Sequence, residues 1–144
     1  MSLYLSGVLG GPELEKMPFY RIVQLLDVIR LGCEDDILPK GGGSLSLIHR
    51  FPGTIWQPEF QGTKLGHVLT KKKRLQIEIA VPADAIISRD FGSFYLDSLE
   101  EAIRLAKERF DKKSIPFSVE KYLELIGRMR NGLQDIDRQV WGKN

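Results

Sequence analysis

The sequence contains one cysteine, Cys33, and two histidines, His49 and His67. A single thiol excludes an internal disulfide and leaves no set of sulfur ligands for a structural zinc. The histidines fall on separate predicted strands, and neither has a second histidine two or four residues away. No metal and no cofactor are therefore expected. Long apolar runs are also missing: no stretch approaches the roughly 20 residues that a membrane-spanning helix needs. The opening segment has no basic stretch, and its apolar run is broken by Ser6, Gly7, Gly10 and Gly11, so it reads as a strand and not as a secretory signal. With the lone free thiol, this points to a cytoplasmic protein with no membrane partner.

A surplus of either charge is missing too. The chain has 21 Lys and Arg against 19 Asp and Glu, a net charge of +2. That balance argues against a dedicated nucleic-acid binder, which shows a strongly basic domain or stripe. Signatures of chemistry are equally scarce. Gly7, Gly10 and Gly11 do not have the G-x-G-x-x-G spacing of a dinucleotide loop, and no Lys-Ser/Thr pair completes a phosphate loop. Arg89-Asp90-Phe91-Gly92 echoes fragments of kinase motifs in a chain far too short for a kinase. Ser88, Ser93 and Ser98 do not lie in a nucleophile elbow. No catalytic residue is expected.

What the sequence does contain is consistent patterning over 144 residues, the size of one domain, 1–144, with a polar tail at 142–144. Ser2–Leu9 reads as a first strand. Ile22, Leu25, Leu26 and Ile29 recur at helical spacing, so a helix is expected from Pro18 to Leu31, with Gly32 as its stop. Residues 34–43, with Glu34-Asp35-Asp36, Pro39 and three successive glycines, read as a loop with scope for mobility. A β-rich middle follows. Leu45 and Leu47 alternate with Ser46 and Ile48. Thr54–Phe60 and Lys64–Thr70 are candidate strands. Arg74–Val81 alternates most clearly, with Leu75, Ile77, Ile79 and Val81 on one side. Phe91–Leu96 is a candidate last strand. Asp97 and Glu100 form a capping box for a helix that carries Leu99, Ala102, Ile103, Ala106 and Phe110. Ser118 is placed to cap a final helix, and Asn131-Gly132 to bend it. The expected order is β-α-β-β-β-β-α-α. The expected fold class is α+β: an antiparallel sheet of about four to five strands with helices packed on one face.

Three groups of residues are candidate contacts. Glu34, Asp35 and Asp36 gather carboxylates that can dock a basic partner. Arg50, Trp56 and Glu59 place charges beside aromatics around a Pro-Gly turn, and Trp and Arg are enriched in interface hot spots. Lys71, Lys72, Lys73 and Arg74 form the densest charge run, suited to a phosphate or an acidic surface. His49 shares the parity of Leu45 and Leu47, which places it toward the buried side.

The chain resembles bacterial toxin-immunity proteins of the contact-dependent inhibition and polymorphic-toxin type. The resemblance rests on its size, on the opening SLYLSGVLGG and on the later FGSFYLDSLEEAIRLAKERF passage. It implies a cytosolic protein that binds one cognate toxin domain and covers its active site. Immunity proteins against nucleases are often acidic. This chain is slightly basic, so the toxin's activity stays open, and no residue roles are carried over. The leading expectation is therefore a partner-binding protein, with the three candidate groups as contacts. Two alternatives stand beside it. One is a small enzyme or ligand-binding domain using His49 with Glu59 or Asp90. The other is a nucleic-acid accessory protein using Lys71–Arg74.

Overall fold

Strand β1 (Ser2–Val8) leads through a 3-10 turn at Pro12–Lys16 into helix α1 (Pro18–Ile37), which returns the chain to strand β2 (Ser44–Arg50). Strands β3 (Leu65–Leu69) and β4 (Arg74–Ala80) follow. A short helix α2 (Ala83–Ile86) precedes the long helices α3 (Phe91–Lys112) and α4 (Val119–Trp141). The structure, a computed structural model, describes residues 2–8, 11–38, 44–52, 65–69 and 74–142.

The sheet has the order β1-β2-β4-β3. β1 runs parallel to β2 and β2 parallel to β4, while β3 is antiparallel to β4 at the edge. The antiparallel sheet expected from the sequence is thus corrected to a mainly parallel one. The misleading signal was alternation. A parallel strand covered on both faces reads as a continuous apolar run, whereas a period of two is the mark of a half-wet sheet, which is most often antiparallel. Here the parallel strands themselves are half wet. In register, Leu3, Leu45 and Leu75 form one row and Leu5, Leu47 and Ile77 the next, on the face that the helices cover. The other face carries Tyr4, Ser44, Ser46, Ile48, Arg50 and Gln76, all at least partly exposed. The helix between β1 and β2 was the sounder clue, because two adjacent strands joined by a crossover helix must run parallel.

Other boundaries differ for physical reasons. Gly32 does not stop α1, which continues through Glu34, Asp35 and Asp36 to Ile37. Its cost of about 1 kcal/mol relative to Ala is offset by anchoring of the last turns to β1 through Arg30 and Glu34. Residues 34–37 are therefore helix and not loop, and 39–43 lie outside the described residues. Phe91–Leu96 is helix and not strand. Its aromatic β-formers sit at helical spacing, so Phe91 and Tyr95 stack at 5.9 Å and both face the core. Asp97 and Glu100 consequently lie inside α3, where they cap nothing and instead bind Arg130 of α4. Ser118 is the N-cap residue of α4 but makes no side-chain cap bond. Asn131-Gly132 does not break α4, which runs on from Val119 to Trp141. A Cβ at Gly132 would lie 2.5 Å from Ile29 Cδ1, so the glycine lets α1 approach closely. Thr54–Phe60 lies outside the described residues.

The core lies between the sheet and the helices. α3 packs on β2 and β4, and α4 packs along both α1 and α3. Leu26, Leu45, Leu47, Ile77, Ile103 and Leu125 are fully buried. Each such side chain contributes about 2 kcal/mol through removal of apolar surface from water. No helix among the described residues is long and apolar enough to cross a membrane.

Candidate binding groove at the edge of the sheet

Among the described residues β1 is an edge strand, so one side of its backbone has no neighbouring strand there. At Leu3 that side is closed by α1. The Leu3 N–H donates to Glu34 Oε1 at 3.1 Å, and Arg30 Nη1 donates to the Leu3 carbonyl at 2.9 Å. Arg30 also binds Glu34 Oε2 at 2.5 Å and, through Nε, Asp27 Oδ1 at 2.7 Å. Ile22, Leu26 and Arg30 follow one another at i+4 on the buried face of α1, which explains why a guanidinium ends up only 7% exposed. Its charge survives burial because carboxylates and a carbonyl replace water around it.

Strand geometry sends the N–H and C=O of one residue to the same side and alternates sides along the chain. If Leu3 points outward, so do Leu5 and Gly7. Beside them a groove of about 240 Å³ runs between β1 and α1. β1 contributes Leu5 and Gly7, and α1 contributes Tyr20, Val23, Gln24 and Asp27. Phe51 and Tyr95 complete the wall. Gly7 keeps the groove open, since a Cβ there would sit 2.9 Å from Phe51 Cε2. Further along α1, Val28 and Leu31 are 64% and 61% exposed, an apolar pair on the solvent face beside the groove-lining Gln24.

Tyr95 links this groove to a second buried polar cluster. Its ring lies 4.4 Å from the His49 ring, and its phenol is pushed above the ordinary range by burial and by the nearby Asp27 carboxylate, with Arg30 opposing. Ser98 Oγ donates to the Tyr95 carbonyl at 2.6 Å and so accepts from His49 Nε2, 3.1 Å away. That assigns the Nε2–H tautomer and leaves Nδ1 without a partner among the described residues. Burial lowers the His49 pKa from 6.5 to about 3. The ring is a neutral, enclosed packing element. Asp90 is exposed, apart from the enclosed His49, and Glu59 lies outside the described residues.

The other expected contacts separate into distinct surroundings. Glu34 is a structural partner of Leu3 and Arg30. Asp35 and Asp36 are exposed on the last turn of α1. Arg50 makes a two-bond pair with Glu78, 2.8 Å for each bond, on the sheet face away from the helices. The pair explains how Glu78 is tolerated at 4% exposure on that polar face. Trp56, Glu59, Lys71, Lys72 and Lys73 lie outside the described residues. Arg74 opens β4. The groove itself was missed from sequence. The available signals were Val28 and Leu31, apolar yet off the buried stripe, and Arg30 on it.

A larger hollow of about 480 Å³ between the start of α3 and the end of α4 is lined by Arg89, Arg130, Arg138, Asp137 and Trp141, among others. Three arginines suggest an anion site, but two of them already pair with carboxylates and Arg89 lies over the Trp141 ring, 5.8 Å from its centroid. Arg130 binds Asp97 and Glu100, and Arg138 lies 3.5 Å from Asp135. The Asp137 carboxyl in the same hollow is pushed up by burial and, to a lesser degree, by the Asp90 carboxylate.

No family model, curated protein or solved structure matches this chain. The assignment of function therefore rests on the site.

Proposed function

We propose that this chain works by binding a partner protein, in the manner of an immunity protein that covers the active site of a cognate bacterial toxin domain. The observation that supports this is the surface of α1 and β1: a strand edge and groove, with Val28 and Leu31 exposed further along the same helix. Solvent-exposed apolar side chains grouped beside a concave surface are a common mark of protein contact sites. His49, the best single candidate for chemistry, is neutral and enclosed, which weighs on the side of binding.

The test takes a domain of the protein encoded next to this chain's gene as the candidate toxin. Cells producing that domain are expected to grow only when this chain is co-expressed, and the two proteins are expected to elute as a one-to-one complex. Val28→Asp with Leu31→Asp, at two surface positions, is expected to weaken the complex by about tenfold or more without unfolding the protein. Failure of co-expression to protect the cells, with both proteins present and folded, sinks this reading.

A further inference from the structure

The groove is small. At about 240 Å³ it falls below the roughly 300–1,000 Å³ of sites for cofactors and drug-sized ligands, and it suits one large side chain better. Its walls are mainly apolar and aromatic, with Leu5, Val23, Phe51 and Tyr95 against a single carboxylate, Asp27. Arg30 occupies Oδ1 of that carboxylate. The charge of the helix wall is one-sided: from Val23 to Asp36, α1 carries Asp27, Glu34, Asp35 and Asp36 against Arg30 alone. Alongside lie the outward N–H and C=O groups of Leu5 and Gly7, two residues apart, a spacing that an extended chain matches.

We propose that the open stretch of β1 is a strand-addition site. An extended segment of the partner protein pairs with Leu5 and Gly7, places one large apolar side chain in the groove, and presents Lys or Arg two positions away to Asp27. Main-chain bonds supply affinity in this mode, and alternate side chains supply specificity. Two positions along the partner chain is the spacing that returns a side chain to the same face, the one on which α1 lies. Glu34 and Arg30 set the limit of the site. They already hold the outward groups of Leu3, so the added segment extends from Leu5 toward the C-terminal end of β1 and not past Leu3. The proposal rests on the partner-binding reading above and specifies its chemistry. A second copy of this chain fits less well, because a two-fold pairing of β1 edges centred on Leu5 would set Gly7 of one copy against the occupied Leu3 of the other.

The probe is a displayed library of random ten-residue linear peptides, selected against the intact protein. The best sequences are then resynthesised and titrated into the ¹⁵N-labelled chain. Enrichment of a large apolar residue with Lys or Arg two positions away is expected, together with shifts of the Leu5 and Gly7 amides. N-methylation of alternate peptide residues is expected to abolish binding, and Glu in place of the basic residue to weaken it about tenfold. Gln24→Arg, at an exposed lining position, is expected to remove the basic preference while leaving the circular dichroism unchanged. Three results overturn the proposal: no enrichment, selected peptides that leave Leu5 and Gly7 unshifted, or N-methylated peptides that bind as well as their parents. Cells protected from the toxin alongside any of these would keep partner binding and sink strand addition. Strand addition without protection would do the reverse.

Discussion

Two buried polar clusters meet at Tyr95 and solve the same problem in opposite ways. Beneath α3, His49 is enclosed with one hydroxyl partner, and burial strips it of charge. At the edge of β1, Arg30 is nearly as enclosed but keeps its charge among Asp27, Glu34 and the Leu3 carbonyl. A buried titratable group keeps its charge where ionic partners replace the lost water, and gives it up where a single neutral hydroxyl is all that is offered. The first cluster is therefore filler with a polar atom left over. The second is a clasp that ties helix to strand and ends the open edge.

The largest expected effect would break the clasp. Arg30→Met leaves Glu34 and Asp27 facing each other and strips the Leu3 carbonyl of its donor. A loss of about 3 kcal/mol is expected in urea unfolding, the lower end of the usual cost because both carboxylates are partly exposed. A loss under about 1 kcal/mol would mean that the guanidinium contributes little net stability.

The next effect tests the neutral cluster. The folded-state pKa of His49, about 3, lies below the 6.5 of a free imidazole. Between those values the unfolded chain binds a proton that the folded chain does not. Stability from this group is complete above pH 6.5 and falls as pH drops toward 3, by about 1.4 kcal/mol per pH unit within the window. His49→Leu is expected to flatten this acid dependence. At pH 7 it should change stability by less than about 1.5 kcal/mol, because Ser98 keeps its bond to the Tyr95 carbonyl. Urea titrations at several pH values read both quantities, and an unchanged acid slope in the variant would contradict the assignment.

A smaller effect separates charge from hydrogen bonding in the clasp. Glu34→Gln retains an oxygen for the Leu3 N–H but removes the anion from Arg30, with an expected loss of about 1–2 kcal/mol. The smallest comes from a half-exposed counterpart, the Arg130 bridge to Asp97 and Glu100. Arg130→Gln is expected to cost under about 1 kcal/mol, and the cost should shrink in high salt. A larger, salt-independent loss there would remove the contrast between enclosed and exposed ion pairs.

Legibility from sequence tracked locality. The alternation of Leu45 and Leu47 with Ser46 and Ile48, and that of Leu75, Ile77 and Ile79, could be read directly, because side-chain period depends only on the strand itself. Burial of His49 followed from its parity. The stripe from Leu99 to Phe110 was equally clear, yet its start was not. Phe91, Phe94 and Tyr95 favour strands by intrinsic preference, and packing of their rings onto the sheet overrode it. Glu34 was recognised as important for the wrong reason. Its carboxylate looked like a surface contact, and only the position of β1 beside α1 turned it into a backbone clasp.

The sequence alone determined which face of each strand and helix is apolar, the short supply of groups for catalysis or metal binding, and the absence of any expected disulfide. These follow from residue type and spacing along one element. Tertiary structure decided the direction in which the strands pair, the bond of Arg30 to the Leu3 carbonyl, the ion partners of Arg50 and Arg130, and the groove beside Leu5 and Gly7. Each of those depends on residues far apart in the chain, and periodicity within one segment holds no information about what packs against it.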